Sequence, residues 1–280
     1  MASTKGKTQD IERFVLMFAP ITRTFEKSYF VDTKLPEIPN YERNKITLPV
    51  NLEENQAFLC AWQTQFSGDS FVYDYPLGRA HYGDFGYVHI SKIISQDIKK
   101  LHQLGLNGYI SCQELRIMHP NGLPNYVMGR TLFDENLSFD ALLEEYYSAA
   151  YGEDWRMIRE YLSEISSLCS CDYVNAKGPR KNPVIAENMK KVHTWCKQWE
   201  SKLQGHTGRH WEVLVHHNKH IQLLSYAMEL FADGKEEEAR IVWMEMQKYV
   251  CLAETKFQAE LDVYRMINIT RDYTGIGKIS

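Results

Sequence analysis

Apolar and polar positions follow two different rhythms along the chain. Phe14-Val15-Leu16-Met17-Phe18-Ala19 is an unbroken apolar run closed by Pro20. A run of this kind predicts a strand buried on both faces. A polar stretch holding Pro36, Pro39 and Pro49 follows, and Asn51 then stands as the N-cap of a helix predicted over 51–66. Glu53 and Glu54 in its first turn complement the helix dipole. Ser70-Phe71-Val72-Tyr73-Asp74-Tyr75, closed by Pro76, predicts a second strand. A helix over 88–104 stops at Gly105. Gly108-Tyr109-Ile110-Ser111-Cys112-Gln113 predicts a third strand, and Tyr126-Val127-Met128-Gly129 a fourth. Strand–helix alternation at this spacing implies parallel strands, whose C-terminal ends are where ligands bind.

From Ser138 onward the rhythm is helical. Helices are predicted over 138–151, 154–168, 184–203, 208–232 and 235–268. Trp211, Leu214, Ile221, Leu224, Met228 and Phe231 form one apolar stripe. Val242, Met246, Val250, Ala253, Phe257, Leu261 and Tyr264 form another, with Asp233-Gly234 as the turn between them. The two stripes predict an antiparallel helical hairpin. The fold class expected is therefore α/β: a partial (β/α) barrel over 1–137, then an all-helical C-terminal domain over 138–280. A complete eight-stranded barrel takes about 250 residues. The alternating part supplies about half of that, so either the sheet is small or the chain is the C-terminal piece of something longer.

Composition narrows the function classes. With 32 Lys+Arg against 36 Asp+Glu the net charge is −4, which removes the global basic footprint of a nucleic-acid binder. No run of 18 apolar residues is present, so no membrane-spanning helix is expected. The N-terminus lacks the apolar core of a signal peptide, and the six cysteines are scattered, so a cytoplasmic location with reduced thiols is expected. No GxxxxGK[ST], GxGxxG or GxSxG motif occurs, which argues against phosphate-loop, dinucleotide and serine-hydrolase readings.

The candidate chemistry lies just after the strands. Asp74 alternates with Tyr73 and Tyr75 and leads into Arg79, His81, Tyr82 and Asp84. In a regular strand Asp74 points away from the two tyrosines. Glu114 follows the third strand, one βα unit later, with Gln113 and Arg116 beside it. Two carboxyl groups at one sheet mouth are the minimum equipment for glycoside hydrolysis; the competing reading is a set of structural ion pairs. Arg23 ends the first strand and has the donor fork to grip a sugar carboxylate or hydroxyl. His206, His210, His216, His217 and His220 include i,i+4 pairs, a metal-chelating spacing. HExxH is missing, and His217 falls on the apolar stripe while His216 falls off it, so no metal is expected. The Trp residues at 195, 199 and 211 are expected to pack helices.

Several segments taken together carry a resemblance. They are Phe18-Ala19-Pro20-Ile21-Thr22-Arg23, Tyr73-Asp74-Tyr75-Pro76-Leu77-Gly78, Gly108-Tyr109-Ile110-Ser111-Cys112-Gln113-Glu114, Leu123-Pro124-Asn125-Tyr126-Val127-Met128-Gly129 and Leu261-Asp262-Val263-Tyr264, in that order. The chain, from about Arg13 to Thr270, resembles the C-terminal part of a bacterial family of inferred glycoside hydrolases. That family is distantly similar to α-glucuronidases and β-hexosaminidases. The resemblance implies a (β/α)₈ barrel followed by a helical domain, with residues 1–135 as the last βα units. It also implies that the usual general acid sits on an earlier strand, outside this chain. The expected function is glycosidic-bond hydrolysis by paired carboxylates, without a cofactor; the alternative is a non-catalytic remnant that binds sugar or packs with a partner subunit. Asp74 and Glu114 are the candidate catalytic carboxylates. Arg23, Tyr75, His81, Tyr82, Gln113, Arg116, Asn125, Tyr126 and His217 are candidate substrate contacts. A carbohydrate is the expected substrate, with no nucleic acid and no membrane as partner. A further chain, or self-association, is expected to complete the barrel.

Overall fold

Three short parallel strands form one sheet in the order β1 (Leu16–Phe18), β2 (Ser70–Asp74), β3 (Gly108–Ser111). Met17 lies opposite Phe71, and Tyr73 opposite Ile110. The structure is a computed structural model. It describes residues 10–276 apart from 32, 41, 46 and 176, and only the backbone of Tyr273.

Helix α1 (Leu52–Gln63) joins β1 to β2, and α2 (Val88–Lys100) joins β2 to β3. Asn51 caps α1 by accepting from the Glu54 N–H at 2.8 Å, as its position predicts. Val72 of β2 packs with Phe18, Leu52 and Leu59, which fixes α1 against the face of the sheet that carries Val72. Asp74, two residues on and therefore on the same face, meets an arginine that also bonds Asp97 of α2. Both helices thus cover one face. The opposite face carries Met17, 53% exposed, and Ile110, 46% exposed, with Phe71 and Tyr73 half-buried between them. The expectation that β1 is buried on both faces is therefore corrected: only Phe18 of its three residues is buried.

Residues 126–129 do not form a fourth strand. They lie inside α3 (Leu123–Phe133), where Pro124 occupies the first turn and Leu123, Val127 and Thr131 recur at helical spacing on the buried side. Proline there is pre-set for a helix start and costs no internal hydrogen bond. The remaining helices are α4 (Phe139–Tyr151), α5 (Trp155–Ser167), the single turn α6 (Cys171–Val174), α7 (Pro183–Trp199), α8 (Arg209–Ala232), α9 (Glu236–Leu252), the turn α10 (Glu254–Phe257) and α11 (Val263–Thr274).

The stripe on α8 is buried as predicted, from Trp211 to Phe231, and Gly234 turns the chain at φ 83° into α9. The single helix predicted over 235–268 is broken. Leu261 makes an antiparallel bridge to Ile117, and the Met118 N–H donates to the Glu260 carbonyl at 3.0 Å. Asp262 then caps α11 by accepting from the Arg265 N–H at 2.9 Å. The break lets the late chain return to the loop after β3. One continuous core runs from Tyr82, Phe85, Leu123 and Val127 through α4, α5, α7, α8 and α9. The predicted boundary near residue 137 is thus crossed by packing: α3 and the loop after β2 share this core with the helices that follow. Trp195, Trp199 and Trp211 all pack on aromatic neighbours within it. All six cysteines are free.

Candidate functional site

The loops leaving β2 and β3 are tied to each other by main-chain bonds. The Cys112 N–H donates to the Asp74 carbonyl at 2.8 Å, and the Glu114 N–H to the Leu77 carbonyl at 3.0 Å. This lattice positions Asp74 and Glu114, yet it sends their side chains to different places.

Asp74 is 1% exposed. Its Oδ2 accepts from Arg23 Nη1 at 3.2 Å and from the Tyr29 hydroxyl at 3.0 Å, and its Oδ1 from the Tyr75 N–H at 2.9 Å. Arg23 reaches Asp97 Oδ2 at 2.6 Å with Nη2, which also donates to the Lys27 carbonyl. The guanidinium lies over the rings of Phe25 and Tyr29, 4.2 and 4.1 Å from their centroids. Burial opposes its charge, but Asp97, Tyr29 and Asp74 outweigh that loss and hold its pKa above the ordinary value. Burial in turn pushes the Asp74 carboxyl up to about 6, against the pull of Arg23. This is a sealed ion cage between sheet and helices. The expected catalytic carboxylate Asp74 and the expected sugar grip Arg23 both lie in this cage, 1% and 3% exposed, and Arg23 also lines a cavity of about 180 Å³ with Thr24 and Lys27.

Glu114 lies at the surface, with 14% of its side chain exposed. The Tyr82 hydroxyl donates to its Oε2 at 2.6 Å, and Arg265 Nε, on the first turn of α11, to its Oε1 at 2.8 Å. Burial raises its pKa, Tyr82 and Arg265 lower it, and Asp262 adds a further upward push. His81 Nε2 stands 4.0 Å from Glu114 Oε2, and its ring lies against Tyr82. Burial, then the Arg265 charge, depress His81 to about 3, so the ring is neutral. Arg116 Nη1 is 4.0 Å from Asp262 Oδ2 and both are part-exposed. Gln113 is exposed and accepts from the Ser111 hydroxyl at 3.2 Å. Tyr75 packs edge-on against Tyr73, 5.3 Å between centroids, at the end of the open sheet face.

The structure therefore brings together Glu114, Tyr82, His81 and Arg116. It separates two expected contacts from them. Asn125 and Tyr126 ride on α3, where Asn125 leans on the Ile117 carbonyl and Tyr126 packs on Tyr146. His217 is 1% exposed, within a buried histidine cluster, and lines one cavity with His81 and Tyr82. Arg265 and Asp262 were not expected at the site. Their only sequence signal is the Leu261-Asp262-Val263-Tyr264 segment, whose helix cap aims the next turn back at Glu114. Among the described residues no group of three or more His, Cys, Asp or Glu is arranged to hold a metal ion, and no helix is long and apolar enough to cross a membrane.

The surface group gathers Glu114, whose pKa is raised, with Asp262 as a second carboxylate and Arg116 and Arg265 as cations. Comparisons with family models, with curated proteins and with solved structures find no match to this chain.

Proposed function

We propose that the chain is a carbohydrate-active protein of glycoside-hydrolase type, with its chemistry at the C-terminal end of the sheet. The observation that carries this reading is Glu114: a part-exposed carboxyl just beyond β3, held by Tyr82 and Arg265, with its pKa raised by burial and by Asp262. A carboxyl whose pKa is raised is suited to donate a proton to a departing glycosidic oxygen, and a second carboxyl group beside it to act as base or nucleophile. Asp262 takes the second place that Asp74 vacates. Arg116, Gln113 and Tyr75 are proposed to hold hydroxyls and a ring face of the sugar. Resemblance to the barrel glycosidases and helices on one face of a parallel sheet both support placing β1–β3 among consecutive units of a (β/α) barrel. On that reading a partner polypeptide or a second copy supplies strands beside β1.

A second reading is favoured by one feature of the same group. Both oxygens of Glu114 are already engaged, and the carboxyl expected beside it is sealed inside the ion cage. That arrangement suits a site which binds sugar without turnover.

A panel of 4-nitrophenyl glycosides and glucuronides tests both readings. Turnover by the wild-type chain that E114Q lowers by about 10²-fold or more supports the hydrolase. Saturable binding without product supports the second reading. Turnover unaffected by E114Q removes Glu114 from the chemistry.

A further inference from the structure

The interface between the sheet-bearing part and the helical part is polar where it should be driest. His216, His217 and His220 of α8 are each 5% exposed or less, and meet His119 from the loop after β3. The ring centroid of His119 lies 5.1, 5.0 and 5.4 Å from those of His216, His217 and His220. His119 Nε2 and His216 Nδ1 are 2.9 Å apart, so one donates and the other accepts. His81, from the loop after β2, joins His119, His217 and His220 around a cavity of about 20 Å³. That volume admits about one water molecule and no organic ligand. His81 Nδ1, His216 Nε2, His217 Nδ1 and both nitrogens of His220 have no hydrogen-bond partner among the described residues. Buried polar atoms are normally paired, so this concentration of unpaired ones asks for a role.

We propose that this cluster is an acid-sensitive latch: neutral imidazoles hold α8 against the loops carrying His81 and His119, and protonation parts them. Protons on several rings would place like charges about 5 Å apart in a dry interior, and each extra proton would turn an acceptor nitrogen into a second donor.

The surroundings offer little to stabilise imidazolium. From the β2–α2 loop come Tyr82, Tyr87, Asp84 and the Phe85 backbone, whose hydrogen bond to His217 favours a proton there but is outweighed by burial. The Asp84 oxygens are already used by Ser166 Oγ and by the N–H groups of Gly86 and Ile90. Glu114 stands 4.0 Å from His81 but is held by Tyr82 and Arg265. Tyr249 of α9 and Phe257 of α10 stack on His216, and the Lys256 charge disfavours a proton there. Arg265 of α11 does the same to His81. Burial leads in each case: it lowers His217 to about 3 and His216 to about 4.

The direction follows. An unfolded chain binds these protons near pH 6.5, whereas the folded one binds them only well below that. The stability contributed by the neutral cluster is present above pH 6.5 and is lost as pH falls toward 4. Asp74, Asp84, Asp97 and Glu114 have raised pKa values and work in the opposite sense. They are common to wild type and histidine variants, so the difference between the two isolates the cluster.

The experiment measures thermal unfolding of wild type, H220L and H216F between pH 7.5 and 4.5. Exposed His102→Gln is the control. Each histidine that stays neutral when folded steepens the wild-type unfolding constant by about tenfold per pH unit below 6.5. Both variants are expected to lose part of this slope while keeping most of their stability at pH 7.5, and the control to keep all of it. Hydrogen exchange at pH 5 is expected to release 81–87, 119–121 and the facing turns of α8 before α2. Slopes equal to wild type in both variants, uniform release of the whole chain, or a stoichiometric metal in the purified protein would each overturn the latch.

Discussion

Arg23, which reads as a ligand grip in the sequence, is held in the structure by two carboxylates. It lies in the loop that follows β1, where a cleft arginine would be placed, yet it pairs with Asp74 and Asp97 and lies over the rings of Phe25 and Tyr29. Removing one partner of a buried ion group leaves uncompensated charge, which costs about 3–5 kcal/mol. Arg23→Met is therefore expected to lose stability of that order, measured by denaturant unfolding. The charged residue types were legible in the chain; their closure into a cage was not. Asp97 lies 74 positions from Arg23 on a helix that offered no chemical signal of its own. Tyr29 and His119 were hidden for the same reason: their roles arise from contacts distant in sequence. Glu114 and Tyr82 were legible because both stand just past predicted strands.

At the scale of elements, the strand–helix alternation of residues 14–113 was readable because the strands lie in short apolar runs and α1 carries its Asn51 cap. Residues 126–129 misled because Tyr-Val-Met favours either state, and the buried spacing of Leu123, Val127 and Thr131 becomes visible only over the longer window. The stripe from Val242 to Leu261 looked continuous because apolar spacing does not register a chain leaving its axis to bridge Ile117. Close approach between elements also rests on glycine. A Cβ at Gly86 would lie 2.1 Å from the Leu162 carbonyl oxygen of α5, and one at Gly83 would lie 2.6 Å from the Cys171 Cα. These are backbone atoms that cannot swing aside. Gly86→Ala is expected to cost at least about 1–3 kcal/mol, the range for overpacking. Its melting curve should shift accordingly, whereas Gly129→Ala, with nothing within 4 Å of its Cβ, should not be destabilised.

At the scale of the whole molecule, the sheet is lopsided: helices cover one face, while Met17 and Ile110 stand in the open on the other. Parallel sheets are ordinarily covered on both faces, and among the described residues β1 and β3 are the edge strands. Sedimentation velocity of the isolated chain at increasing concentration is expected to show self-association, which M17K, placed on that face, should weaken. A monomer at every concentration would count against a face that needs a partner. We propose that the chemistry lies at Glu114 rather than in the ion cage, and turnover and melting temperature determined together for E114Q and D74N, on the best aryl glycoside of the panel, decide between the two. The account predicts that E114Q loses turnover and keeps its melting temperature within a few degrees, while D74N, which alters the cage, shifts stability and retains turnover at temperatures where it is folded. A folded D74N without turnover, beside an active E114Q, would contradict it.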